Sequence, residues 1–400
     1  MTDMPAPPLT NVKRNLWLLA ICQGLFLTNN VTFIAINGLV GLSLAPLGWM
    51  ATLPLMAYVV GGALSTGVVA RTQQRLGRKL SFQIGQVVAL GSALLCAYAA
   101  VNRNFWLLCL ATFVAGYYFA NAGLYRFAAA ELCPAPMREK AVSLVMAGGL
   151  LGAVLGPNLA AQTRDLFPVA FAGVYVALAV VALLALGVLS FIEFAPPPPR
   201  GSVSTGRPMS EIMRQPIFLV SALSGALSYG VMNLLMAATP IAMQQCAFPF
   251  SDTALVLQWH VIGMFAPGFF TGSLIKRFGP LPIMSIGVAL YLGCVVIALS
   301  GVELHQFVLA LFLLGVGWNF LFTGSTTLSL SSYGPAEKDR AQGALNFFVF
   351  VTLAATSLGS GVLITTQGWR LLNYGSLIPV ILTGAALIWL RLKTSRPATA

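Results

Sequence analysis

Any residue that moves a proton or holds a charge inside this chain must come from a short list. The acids are Asp3, Glu131, Glu139, Asp165, Glu193, Glu211, Asp252, Glu303, Glu337 and Asp339, and the histidines are His260 and His305. His260, in LQWHVIG, lies deep in an apolar run, and imidazole titrates near neutral pH. It can serve as a proton carrier, or stay neutral and satisfy a backbone carbonyl. Arg126 and Glu131, five apart in YRFAAAE, offer a local ion pair, part of a charged latch, or at Arg126 a seat for an anionic group. Snorkelling of Arg126 to the membrane surface is the plainer alternative. The six cysteines show no CxxC spacing, and HExxH, GxSxG and GxxxxGK[ST] patterns are absent. The sequence therefore argues against an enzyme or a nucleotide-driven pump, and it implies no metal and no cofactor.

The elements that must position these residues are membrane spans. Only 8% of the 400 residues are charged and 58% are hydrophobic, whereas an ordinary soluble domain is about a quarter charged. Twelve apolar runs lie near 15–36, 46–70, 80–100, 105–129, 141–163, 168–194, 215–243, 251–274, 283–301, 305–332, 341–365 and 370–391. Each is close to the ~20 residues that cross a bilayer as a helix, and helices satisfy their own backbone groups in lipid. The first run contains Thr28, Asn29 and Asn30 and lacks a small-residue cleavage site, so it reads as part of the mature protein. None of the acids falls near the middle of a run, although intramembrane carboxylates are the usual proton relays.

Charge sets the orientation. Twelve spans leave both termini on one side, and of 22 Lys and Arg residues only Arg103, Arg164 and Arg370 fall on the other. This positive-inside bias puts both termini in the cytoplasm. The net charge of +12 is spread over many short loops, which is a topology signal and not a nucleic-acid surface.

The halves repeat. QRLGRK after the second run aligns with KRFGPL after the eighth, pairing Arg75 with Arg277 and Gly77 with Gly279. PAPMREKA after the fourth aligns with PAEKDRA after the tenth, at nearly the same offset. FAPPPPRGSVSTGRP between the halves reads as a linker without a core. The expected organisation is a tail at 1–14, a bundle at 15–194, a linker at 195–214, a bundle at 215–391 and a tail at 392–400.

In these features the chain resembles the major facilitator superfamily across nearly its whole length. The family carries Gly-x-x-x-Asp-Arg-x-Gly-Arg-Lys between spans 2 and 3. Arg75, Gly77, Arg78 and Lys79 match, Ala70 replaces the first Gly and Gln74 replaces the Asp. The resemblance implies an all-α membrane protein of 12 transmembrane helices, in two six-helix bundles related by pseudo-two-fold symmetry. It also implies a gate loop at Gln74, Arg75, Gly77, Arg78 and Lys79, echoed at Lys276, Arg277 and Gly279. Gln74 can still accept a hydrogen bond there but loses a charge–dipole contribution of ~0.3–1 kcal/mol. In span 5, Gly152, Gly156 and Pro157 match the Gly-x-x-x-Gly-Pro signature of the family's drug–proton antiporters; plain small-residue packing explains them equally well. The Arg that such antiporters usually carry in span 4 is Thr112 here.

The resemblance places spans 1, 4, 7 and 10 around a central cavity. Their candidate substrate residues are Gln23 and Asn30; Tyr117, Asn121 and Tyr125; Tyr229 and Asn233; and Trp318, Asn319, Phe322 and Thr326. Amides with aromatics suit a neutral or weakly charged organic ligand with a ring system, while each Asn alone can be an interhelical hydrogen bond. The expectation is a monomeric secondary transporter of a small organic solute, in contact with membrane lipid, in a bacterial inner membrane, working by alternating access. Proton-coupled export leads on the span 5 signature, with His260, Arg126 and Glu131 as coupling residues. Uptake or facilitated passage of a nutrient such as an aromatic vitamin is the alternative, supported by the missing central acids. A receptor or scaffold is the alternative of another class.

Overall fold

The computed structural model describes residues 11–134, 137–194, 206–334 and 337–394, so parts of the expected tails and linker lie outside the described residues. Every regular element among them is a helix. Eleven helical segments are long and apolar enough to cross a membrane. One of them, Gly48–Val101, has 54 residues, about 80 Å at 1.5 Å per residue against a hydrocarbon core of ~30 Å. Gly77, with φ 79° and ψ 172°, breaks this segment, so it holds two spans and the total among the described residues is twelve.

The spans are α1 (Val12–Leu44), α2 (53–76), α3 (78–101), α4 (Phe105–Glu131), α5 (Lys140–Thr163) and α6 (Ala172–Ser190). They continue as α7 (Pro216–Gln245), α8 (Phe250–Phe278), α9 (Pro280–Ser300), α10 (Leu304–Ser329), α11 (Arg340–Thr366) and α12 (Gly368–Thr394). α1 runs to Leu44, beyond the expected end at 36: it continues through Gly38 and Gly41 and stops before Pro46, which disfavours helix at the residue preceding it. Three spans are interrupted among the described residues: α4 between Ala122 and Tyr125, α5 at Gly148, and α8 at Pro267.

The chain divides into two compact units, Met1–Ile36 with Ala57–Gly201, and Asn37–Met56 with Ser202–Ala400. The division departs from the expected bundles at 37–56. Within the second unit this segment is held by buried Thr52, whose Oγ1 accepts a hydrogen bond from the Gly361 N–H of α11 at 3.0 Å.

In the first unit, the small-residue stripe of α5 lies on α1. A Cβ placed on Gly152 would come within 2.5 Å of Leu27 Cβ and 2.7 Å of Thr28 N. Thr32 Oγ1 donates to the Gly156 carbonyl at 2.8 Å. These backbones approach as small-residue faces allow in lipid.

The duplication is visible in packing inside each unit. In the first, a Cβ on Gly116 of α4 would meet Gly61 C at 2.5 Å and Tyr58 O at 2.6 Å on α2. In the second, Gly315 of α10 abuts His260 O on α8, and its Cβ would meet Met264 N at 2.9 Å and Gly263 C at 3.0 Å. His260 thus occupies the place of Tyr58. Gly77 and Gly279 share the same left-handed backbone, φ 79° and φ 84°, which a residue without Cβ adopts at no steric cost.

Candidate functional site

The second unit brings three of the expected residues together. Tyr229 of α7 meets Trp318 edge-on at 5.3 Å and Phe322 edge-on at 5.2 Å, while Trp318 and Phe322 of α10 stack at 5.2 Å and 9°. The four-residue step from 318 to 322 puts both rings on one helical face. Phe265 adds a fourth ring, 6.2 Å from Trp318. The Trp318 indole is buried, and its Nε1–H has no hydrogen-bond partner among the described residues. A buried donor left unsatisfied costs free energy that a ligand acceptor would recover.

The amides beside this cluster are committed elsewhere. Asn233 Nδ2 donates to Ser357 Oγ at 2.9 Å, Thr356 Oγ1 at 3.1 Å and Leu353 O at 3.3 Å, all on α11. Asn319 Nδ2 donates to Met264 O at 2.7 Å, and its Oδ1 accepts from Thr271 Oγ1 at 2.6 Å. Both tie helices together. Thr326 is exposed and bonds back to the Phe322 carbonyl at 2.8 Å.

The first unit holds a second aromatic cluster, much of it not anticipated. Tyr58 Oη donates to Asn30 Oδ1 at 2.9 Å and packs against Phe33 (4.8 Å) and Phe119 (5.0 Å). Phe26 joins Tyr118, Phe119 and Tyr125 at 5.5, 6.3 and 6.4 Å. The repeat offset that equates Tyr58 with His260 was the available signal. Tyr117, Asn121 and Tyr125 do not act as one face, because the interruption after Ala122 changes the register. Tyr117 is half-buried, whereas Asn121 donates to Ser81 O at 2.9 Å, and Tyr125, packed on Phe82, accepts from Gln86 Nε2 at 2.8 Å. Gln23 is buried on α1.

His260 is fully buried, with Nδ1 2.7 Å from the Leu311 carbonyl. A carbonyl only accepts, so Nδ1 carries a proton, while Nε2 is buried and meets no hydrogen-bond partner among the described residues. Among the described residues, no group of three His, Cys, Asp or Glu is placed to hold a metal.

The charged residues organise the helix ends. Glu131 pairs with Arg78 and not with Arg126: Arg78 Nε donates to Glu131 Oε2 at 3.0 Å, its Nη2 reaches Oε1, and its Nη1 reaches Gln73 Oε1. The acceptor expected at Gln74 is therefore Gln73. One residue on a helix is a turn of about 100°, and Gln74 faces outward while Gln73 is buried. Lys79 Nζ donates to Ser190 O at 2.7 Å, and Arg14 pairs with Glu193 at 3.1 Å. Arg126 lies 4.9 Å over the Phe127 ring. Lys276 and Arg277 are exposed, the latter 5.1 Å over Phe278.

A second clamp holds the loop before α11. The Glu337 carboxylate accepts from Arg207 N, Arg207 Nε and Arg207 Nη2, each at 2.8 Å, and from Gly334 N at 2.9 Å. The Arg207 guanidinium, with these backbone donors, holds the Glu337 carboxyl down at about 2, and Glu337 in turn raises Arg207.

A sequence profile of the Major Facilitator Superfamily matches residues 16–257 and 221–400. The chain is 39% identical over 397 residues to the riboflavin transporter RfnT of Brucella anthropi, covering 98% of each sequence. It is 26% identical over 401 residues to YdeG, an uncharacterized MFS-type transporter of Bacillus subtilis, covering 95% of this chain and 92% of that one. Among solved structures it superposes on a bacterial homologue of the human lysosomal transporter Spinster, in an inward-facing, unoccupied conformation, with TM-score 0.70 and 14% identity. That match covers 96% of this chain and 97% of the other. The human organic anion transporter MFSD10 gives TM-score 0.66 at 15% identity, covering 95% and 100%.

Proposed function

Since the chain belongs to the major facilitator superfamily and is a multi-pass membrane transporter, we propose that it takes up riboflavin, or a close flavin relative, across the bacterial inner membrane. Both termini lie in the cytoplasm in this account. The observation that carries the reading is the end-to-end identity of 39% with a riboflavin transporter.

The chemistry of the spans agrees with it. Riboflavin is a flat tricyclic ring with carbonyl acceptors on one edge, joined to a neutral polyol. Such a ligand needs aromatic faces and a few hydrogen bonds, and no buried counter-charge, which suits spans without central acids. The Tyr229–Trp318–Phe322 cluster supplies the faces, and the Trp318 indole supplies a buried donor with no partner among the described residues. Stacking between rings is worth ~0.5–1.5 kcal/mol beyond burial.

Export by proton antiport has weaker support. Its motif glycines, Gly152 and Gly156, are taken up by close packing on α1, and His260 is committed to a backbone carbonyl. The test is complementation of a bacterium that can neither make nor import riboflavin. Growth on micromolar riboflavin with this chain, and none with an empty vector, is expected. No growth despite membrane expression overturns the reading.

A further inference from the structure

Four cations crowd the end of α2 and the start of α3, and the structure uses two of them. Arg78 is spent on Glu131 and Gln73, and Lys79 on the Ser190 carbonyl. Arg71 and Arg75 are exposed, and no hydrogen bond or ion pair joins either to another described residue.

Their place on the helix is informative. Leu64, Val68, Arg71 and Arg75 follow one another at steps of four, three and four, which keeps them within ~60° of one helical face at 100° per residue. Leu64 is 67% exposed and Val68 51%. Gly67, beside them, would have nothing within 4 Å of an added Cβ, so the surface dips there. From 64 to 75 the stripe runs about 16 Å at 1.5 Å per residue, roughly one leaflet of a 30 Å hydrocarbon core. An apolar track one leaflet long thus ends, at the side expected to be cytoplasmic, in two uncompensated guanidinium groups one turn apart.

We propose that this stripe binds an anionic phospholipid, with an acyl chain along Leu64, Gly67 and Val68 and the headgroup phosphodiester between Arg71 and Arg75. The charge complementarity selects the occupant: paired guanidinium forks match phosphate oxygens, and the cytoplasmic leaflet is the anionic one. A zwitterionic lipid presents its own cation to the same arginines and binds less tightly.

The test is native mass spectrometry of the detergent-purified protein titrated with phosphatidylglycerol or phosphatidylcholine. Wild type is compared with Arg71→Gln/Arg75→Gln and with Lys13→Gln/Arg214→Gln, which removes the same charge at exposed positions elsewhere. Wild type should retain phosphatidylglycerol in preference to phosphatidylcholine. The arginine pair should contribute about tenfold or more in retention, lost in the first variant and kept in the second. Equal retention in wild type and the Arg71/Arg75 variant overturns the proposal, as does equal loss in both variants. If the glutamine pair does not purify, Arg71→Lys/Arg75→Lys is read instead: it keeps the charge but loses the forks, so retention should fall several-fold, and unchanged retention overturns the site.

Discussion

Gly152→Ala should destabilise the protein through a single helix contact. The added Cβ would lie 2.5 Å from Leu27 Cβ and 2.7 Å from Thr28 N, whereas carbon atoms pack best at about 3.5–4.0 Å. Neither neighbour is a flexible chain end, so α1 and α5 must part by roughly 1 Å to reach that separation. The same movement would stretch the Thr32–Gly156 hydrogen bond from its 2.8 Å beyond useful range. Overpacking of this kind costs ~1–3 kcal/mol, and the lost bond adds ~0.5–1.5 kcal/mol. Replacing glycine in a helix returns ~0.4–1 kcal/mol through the unfolded chain, leaving a net loss of roughly 0.5–4 kcal/mol. Gly156→Ala should cost less, because its Cβ meets Thr28 O at 3.1 Å, and Gly187→Ala, with nothing within 4 Å, should keep the whole ~0.4–1 kcal/mol gain. Thermal unfolding of the three variants in one detergent reads the order directly. A Gly152→Ala protein that melts together with Gly187→Ala would refute the packing role given to the span 5 glycines.

Three further outcomes follow from the same geometry. Trp318→Phe keeps a stacking ring but removes the unpartnered Nε1–H, so riboflavin affinity should fall about twofold to tenfold, the worth of one ~0.5–1.5 kcal/mol hydrogen bond; flavin fluorescence quenching measures it, and an unchanged affinity detaches the indole from the ligand. His260→Asn can keep a donor on the Leu311 carbonyl, so the pH profile of uptake should match wild type; a flattened profile with retained uptake would assign His260 to proton coupling. Glu337 has a folded-state pKa held down near 2, below its ordinary 4.5, so its clamp on Arg207 stabilises the loop above about pH 4.5 and fades as the pH falls toward 2. Glu337→Gln should lower the melting temperature at pH 7 and flatten its decline between those values, and a decline identical to wild type would contradict the clamp.

Much of the architecture was legible because lipid imposes one solution on a long apolar run. Gly77 and Gly279 could be matched by eye, and both hold the left-handed turn that ends α2 and precedes α9. The side on which a residue falls was harder. Trp318 and Asn319 are neighbours, yet a helical step of about 100° sends the ring to Tyr229 and the amide to α8. Gln73 and Gln74 were separated for the same reason. Tyr117, Asn121 and Tyr125 kept four-residue spacing in the sequence but not in space, since α4 breaks between the second and third. Glu131 found Arg78, 53 residues away, a partner that no local spacing reveals. Polar residues in spans advertise that they need partners without saying whether the partner is a helix or a ligand.

Flavin uptake is tested by radiolabelled riboflavin transport into proteoliposomes containing only this protein. Saturable accumulation inside the vesicles is expected, competed by unlabelled riboflavin and reduced by Trp318→Ala more than by Thr326→Ala. Label that enters no faster than into protein-free vesicles, with the protein folded and inserted, would contradict it.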